Sequence, residues 1–214
     1  MRADSRDLRS RLWDIAAEQR GYFTAAQALR IGYSYQGQWF HTQRGDWVRV
    51  DRGLFRFQEF DALSDGEHDH LVRWSLWSQG QGVVSHVSAL AVHDLGIANP
   101  AKIHLTVPQG FRRRHPAVVL HFGQPVPEEI QAREGFLVSS PVRAVVESAA
   151  EGVDQELIDS AVTDLLERGM TTKRQLLMAA QHHGSRAELG IDRALTGEPH
   201  DEPLPQRGGA ASRH

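Results

Sequence analysis

Residues 39–57, "WFHTQRGDWVRVDRGLFRF", begin with helix-like spacing and switch, just past Gly45, to the alternation of a β-hairpin. Val48 and Val50 alternate with Trp47 and Arg49, Asp51-Arg52-Gly53 turns the chain, and Phe55 and Phe57 alternate with Leu54 and Arg56. Gly53 suits the left-handed position of a three-residue loop. This pattern predicts Val48, Val50, Phe55 and Phe57 on one buried face. Arg49 and Arg56 would then lie on the other face with Arg52 at the tip, so that one face packs while the other meets phosphate.

Working back from the hairpin, Leu8, Leu12, Ile15 and Ala16 recur at helical spacing and predict a first helix over residues 7–19. Thr24 is a predicted N-cap for a short second helix with Ala25, Ala28 and Leu29 inward, ended by Gly32. Ser34 caps a third, which Gly45 ends. Three helices and a two-stranded wing within sixty residues describe a winged helix-turn-helix, whose third helix enters the major groove. A helical wheel puts Tyr35, Trp39 and Thr42 inward with Gln38 at the border, and Gln36, Phe40, His41 and Arg44 outward. Glutamine pairs with adenine edges and arginine with guanine edges or phosphate, so this face suits sequence reading.

Charge supports the same division. Residues 1–58 hold ten Arg against six Asp or Glu, a balance of +4, while residues 59–214 hold fourteen Lys or Arg against twenty-one acids, a balance of −7. A basic head on an acidic body points to nucleic acid at one end, with the acidic part limiting non-specific binding. No apolar run approaches the ~20 residues that span a bilayer, the N-terminus is too charged for a secretory signal, and a cytoplasmic protein is expected. The absence of cysteine excludes disulfides, thiol catalysis and Cys-ligated metals.

The body, residues 61–195, reads as mixed α/β. Residues 59–80 read as a turn and then a helix carrying Leu71, Trp74 and Trp77 inward. "SHVSALAVHDLG" is a short helix, and "KIHLTV" and "AVVLHF" are strands joined by the basic loop "PQGFRRRHP". "GFLVSS" adds a strand, Pro141 opens a helix, and "DQELIDSAVTDLLERG" and "TTKRQLLMAAQHHG" form a helical pair. Residues 196–214 hold too little apolar material for a core and are expected to be disordered. The predicted class is therefore α+β: a winged helix-turn-helix over residues 1–60, then the body, then the tail.

The segments "GYFTAAQALRIGYS", "RGDWVRVDRGLFRF", "SHVSAL", "IHLTVP" and "SSPVRAVVESAA", in that order, resemble the AbiEi-type antitoxins of bacterial type IV toxin–antitoxin systems, over roughly residues 8–180. The resemblance implies a head that binds inverted repeats in double-stranded DNA upstream of its own operon and represses it, as a dimer or as cooperating monomers. It also implies a body that antagonises a nucleotidyltransferase toxin, by contact or otherwise. Carried onto this chain, the DNA-facing residues are Ser34, Gln36, Gln38, His41, Arg44, Arg49 and Arg52. Arg112, Arg113 and Arg114 could add a phosphate contact, although three adjacent arginines often only keep a hairpin soluble. The nuclease-like domain that some related chains append is not expected here.

Neither catalysis nor a cofactor is expected. Ser85-His86 lacks a G-x-S-x-G elbow, no phosphate-binding glycine loop occurs, and metal-dependent cleavage lacks a carboxylate cluster. Among twelve histidines, His68 and His70 would face different ways, His86 and His93 would share a helix face without nearby acids, and His182 and His183 would end a helix. All are expected to be structural, with no metal bound. The competing expectation is an interaction protein whose body neutralises a toxin while the head only folds.

Overall fold

The computed structural model describes residues 5–61, 66 and 68–197; of the tail expected to be disordered over residues 196–214, Thr196 ends a helix that Gly197 caps, and residues 198–214 lie outside the described residues. The fold is α+β. The head runs α1 (Ser5–Ala17), β1 (Tyr22–Thr24), α2 (Ala25–Ile31), α3 (Tyr35–Arg44), β2 (Trp47–Asp51), β3 (Leu54–Phe57) and a single turn, α4 (Gln58–Asp61). Its helix starts follow the sequence. Thr24 and Gln27 form a reciprocal capping box at α2, and Ser34 Oγ accepts from the Gly37 amide at α3. Gly45 closes α3 at φ +80°, a left-handed position that Cβ-bearing residues resist.

The hairpin forms where the alternation predicted, but its faces are assigned differently. Trp47 pairs with Phe57 and Val48 with Arg56, in a three-stranded sheet of order β1-β3-β2. Cross-strand partners share a face, so Val48 and Val50 do not join the Phe55 and Phe57 side. Trp47, Phe55 and Phe57 instead meet Phe23 at ring-centroid distances of 4.8, 5.8 and 4.9 Å and close the head core with Leu12, Ala16, Ala28, Ile31 and Tyr33. These rings supply more apolar area than two valines would, and that sets the register.

The other face is also buried, which corrects the expectation that it meets phosphate. Tyr22 and Arg56 are cross-strand partners, and Tyr22 belongs to the body core, against which Val50 also packs. Arg56 is 5% exposed, with its guanidinium 3.5 Å from Asp69, 4.8 Å over the Tyr22 ring, and its Nε donating to the Arg20 carbonyl. Arg20 also pairs with Asp69 and with Glu134 of the body.

The body contains α5 (Asp69–Trp77), β4 (Val83–Val84), α6 (His86–Val92), β5 (Ile103–Val107), β6 (Val118–Phe122), β7 (Ile130–Arg133), β8 (Phe136–Ser139), α7 (Pro141–Glu151), α8 (Gln155–Glu167), α9 (Lys173–His182) and α10 (Ser185–Thr196). The sheet order is β6-β5-β4-β8-β7, with β4-β8 and β5-β6 parallel and the other pairs antiparallel. Val83 and Val84 point to opposite faces and both are buried, so both faces of the centre are covered. α5 packs on β4, β8 and, across to the head, β1, while α6 packs on β5, β8 and α7, and α7–α10 pack on one another. Since β5 and β6 are parallel, "PQGFRRRHP" is not a hairpin loop. It crosses from one strand end to the other over α5, where Phe111 and His115 pack against Trp77 and Trp74.

Losing one partner of the buried Arg56–Asp69 pair leaves a charge with too little compensation. Arg56→Ala is therefore expected to cost about 3 kcal/mol, and exposed Arg49→Ala less than about 0.5 kcal/mol, measured by urea unfolding. Equal, small losses for both would show that the pair does not hold the two cores together.

Candidate functional site

The residues expected to face DNA do not form one surface. Ser34, Gln36 and Arg44 are exposed along α3, with Ser34 Oγ committed to its cap and Arg44 3.5 Å from Asp46. Gln38 is turned inward and 4% exposed, its amide donating to the Ala25 carbonyl. His41 also points inward, stacked 4.9 Å from Trp47 with its Nδ1 2.8 Å from Asp46. Both are corrections with one cause. Phe23, Trp47 and Tyr33 fill the head core, and beneath it Gln38 and Thr42 bond backbone carbonyls while His41 bonds the Asp46 carboxylate and stacks on Trp47.

The wheel on α3 is correspondingly rotated. Tyr35 and Trp39, expected inside, are 72% and 64% exposed, and Phe40 is 49% exposed with the Arg44 guanidinium 5.4 Å over its ring. The outer face of α3 is thus Tyr35, Gln36, Trp39, Phe40, Gln43 and Arg44. Three exposed rings on one helix form an apolar patch that solvation does not explain.

The basic residues fall into two places. Arg49 is exposed on the β2 face that carries Trp47, which packs against α3. Arg52 lies at a tip that does not project, because the Gly53 carbonyl accepts from the Ala25 amide and pins the turn to the start of α2. There Arg30, Arg52 and Arg113 line a groove of about 500 Å³ between head and body, with Gln27 and Trp77. Arg113 also donates to the Trp77 carbonyl and lies over that ring, whereas Arg112 and Arg114 are exposed.

A second cluster was not expected. The period of two puts His104 and Thr106 on one face of β5, and the parallel register sets His121 beside Thr106. The His104 and His121 rings are 5.1 Å apart with a 2.9 Å Nδ1–Nε2 contact, and His86 stacks on His121 at 3.5 Å. His86 opens α6 at φ +52°, a strained position for a side-chain-bearing residue. Arg143, Glu147 and Glu151, spaced by four on α7, form the facing stripe, so the expectation that His86 has no acids nearby does not hold. Among the described residues, His86, His121 and Glu151 each bring a ligand atom within 4.8 Å of the others.

Buried Glu147 accepts from Arg143 Nε (2.6 Å) and Ser139 Oγ (3.1 Å). Ser85 Oγ is 2.9 Å from His86 Nδ1, but Ser85 is fully buried and accepts from Thr106, which suits a positioning role and not nucleophilic attack. Burial, then the charges of His121 and His104, push His86 down to about 2, and burial with the His121 charge pushes His104 to about 4. His121 is lowered by burial and Glu147 raised by it. Elsewhere among the described residues, His93 donates to the Ser139 carbonyl, and His182 and His183 bond the Met178 and Ala179 carbonyls near the end of α9.

No family model matches the chain, and no curated protein matches it. Among solved structures, the RV2827C protein from Mycobacterium tuberculosis is similar at a TM-score of 0.55 and 15% identity, over 88% of this chain and 76% of that one. That likeness concerns the fold alone.

A histidine held below its unfolded value stabilises the fold above pH 6.5, and the contribution is lost as pH falls from 6.5 toward the folded value. Glu147, raised from 4.5, acts in the opposite sense above pH 4.5, as one group against three histidines. The urea midpoint of chelator-treated protein is expected to fall between pH 6.5 and 4, and less steeply for His104→Gln. A flat profile in that range would contradict the burial of neutral imidazoles.

Proposed function

We propose that the protein is a DNA-binding antitoxin of the AbiEi type, whose winged-helix head represses its own operon at an inverted repeat and whose body antagonises a nucleotidyltransferase toxin. The observation that carries this reading is the outer face of α3, where Gln36, Gln43 and Arg44 stand exposed on a capped helix beside exposed Arg49. Gln36 and Gln43 offer amide pairs for adenine edges, Arg44 a fork for guanine or phosphate, and Phe40 an apolar contact for a thymine methyl. Arg49 supplies charge beside that face. Arg30, Arg52 and Arg113 supply a second basic position in the head–body groove, suited to flanking backbone. Gln38 and His41 drop out of the reader set.

A second reading has its own support. Tyr35, Trp39 and Phe40 are the side-chain types that anchor protein interfaces, and the hairpin is buried on both faces as a scaffold would be. In that reading α3 contacts a toxin and the head binds no DNA.

Selection from a randomised duplex pool followed by titration separates the two. Arg49→Ala is expected to weaken binding to all sequences alike and to lower its salt dependence by about one counterion, whereas Gln36→Ala changes which bases are preferred. A uniform loss for Gln36→Ala would place α3 outside the groove. Recovery of no duplex above background would leave the protein-contact reading standing.

A further inference from the structure

Three arginines from distant parts of the chain converge on the groove where the head meets the body. Arg30 lies in the last turn of α2, Arg52 at the hairpin tip, and Arg113 on the crossover between β5 and β6. No Asp or Glu lines this groove, and among the described residues no carboxylate pairs with any of the three. Arg9, Arg20, Arg44, Arg56 and Arg143, by contrast, each have an acidic partner. The chain holds 27 Asp and Glu against 24 Lys and Arg, so carboxylates are not scarce. A cleft lined by one sign of charge repels itself and concentrates ions of the other sign.

The fold holds two of these arginines in place. The Gly53 carbonyl accepts from the Ala25 amide, which fixes the Arg52 turn against α2. Arg113 is half-buried, donates to the Trp77 carbonyl and lies 5.2 Å over the Trp77 ring. A guanidinium has five N–H donors, so one placed in this way keeps its charge and most of its donors for a ligand. We propose that the groove binds a nucleoside di- or triphosphate, its phosphates on Arg30, Arg52 and Arg113 and its nucleoside against Ala25, Ala26 and Leu76. Guanidinium forks match phosphate oxygens in pairs, and three of them suit more than one phosphate group. The nucleoside follows from the rest of the lining. The groove measures about 500 Å³, more than phosphates alone fill, and joins apolar side chains to a few polar groups at a boundary between two domains. Small-molecule sites have this make-up and this location, with volumes of about 300–1,000 Å³.

This site goes beyond the proposed DNA-binding function and does not depend on it, since a nucleotide can be titrated with no duplex present. The test titrates ATP into the full-length protein by calorimetry, in metal-free buffer at physiological salt, with adenosine, tripolyphosphate and a DNA duplex as separate arms. Saturable binding of one ATP per chain is expected, at least about tenfold tighter than that of adenosine or tripolyphosphate. Arg30→Gln and Arg52→Gln, both at exposed positions, should each weaken it at least about tenfold, and Arg174→Gln, exposed on α9, should leave it unchanged. Binding as tight in Arg30→Gln and Arg52→Gln as in the wild type would overturn the site. Tripolyphosphate as tight as ATP would reduce the groove to an anion contact, and duplex binding without ATP binding would leave it to the DNA backbone. Either result, or no binding at all, would overturn the nucleotide assignment.

Discussion

The buried pairing of Arg56 with Asp69 is the constraint on which the arrangement of the chain depends. A guanidinium on the hairpin is withdrawn from water at 3.5 Å from a carboxylate on α5, under a Tyr22 ring that belongs to the body core. Desolvating such a pair is costly unless its remaining donors and acceptors are satisfied, and here the Arg20 carbonyl and guanidinium complete it. With that face of the hairpin committed to the body, Trp47, Phe55 and Phe57 are committed to the head. The hairpin becomes the wall between two cores and is not free to reach outward.

That constraint reshapes the functional reading. A hairpin buried on both faces and pinned by the Gly53–Ala25 hydrogen bond offers only Arg49 and Arg52 to a ligand. Under the proposed function recognition then rests on α3, whose outer surface mixes amides, one arginine and three rings. Under the proposed reading the rings lie against groove walls or sugar edges and the amides against bases. The same surface makes the protein-contact alternative physically sensible, since large exposed rings lose most by staying in water.

Local signals were legible where one side chain determines one backbone event. Thr24 and Ser34 cap the helices they were expected to cap, Pro141 opens α7, and Gly53 takes φ +71° in the hairpin turn. Facing was less legible. An alternating strand has two faces, and hydrophobicity alone chose Val48 and Val50 where the structure chose Trp47, so Arg56 was placed in solvent. On α3 Tyr35 and Trp39 were expected inside, yet Gln38 took the buried position by donating to Ala25. α10 went unseen because its buried stripe is only Ala187 and Ile191, and short β7 because none of its four residues is fully buried. The histidine cluster joins positions from 86 to 151 through a parallel β5–β6 register that no local pattern encodes. Its one trace was a histidine at alternate positions to apolar residues in both "IHLTV" and "VVLHF".

The most direct test of the central claim is the affinity of the purified full-length protein for the duplex upstream of its own gene, against a scrambled duplex, by fluorescence anisotropy at two salt concentrations. The account predicts preferential binding to the upstream duplex, with an affinity that falls steeply as salt rises. Equal binding to both duplexes, or binding to neither, would contradict it.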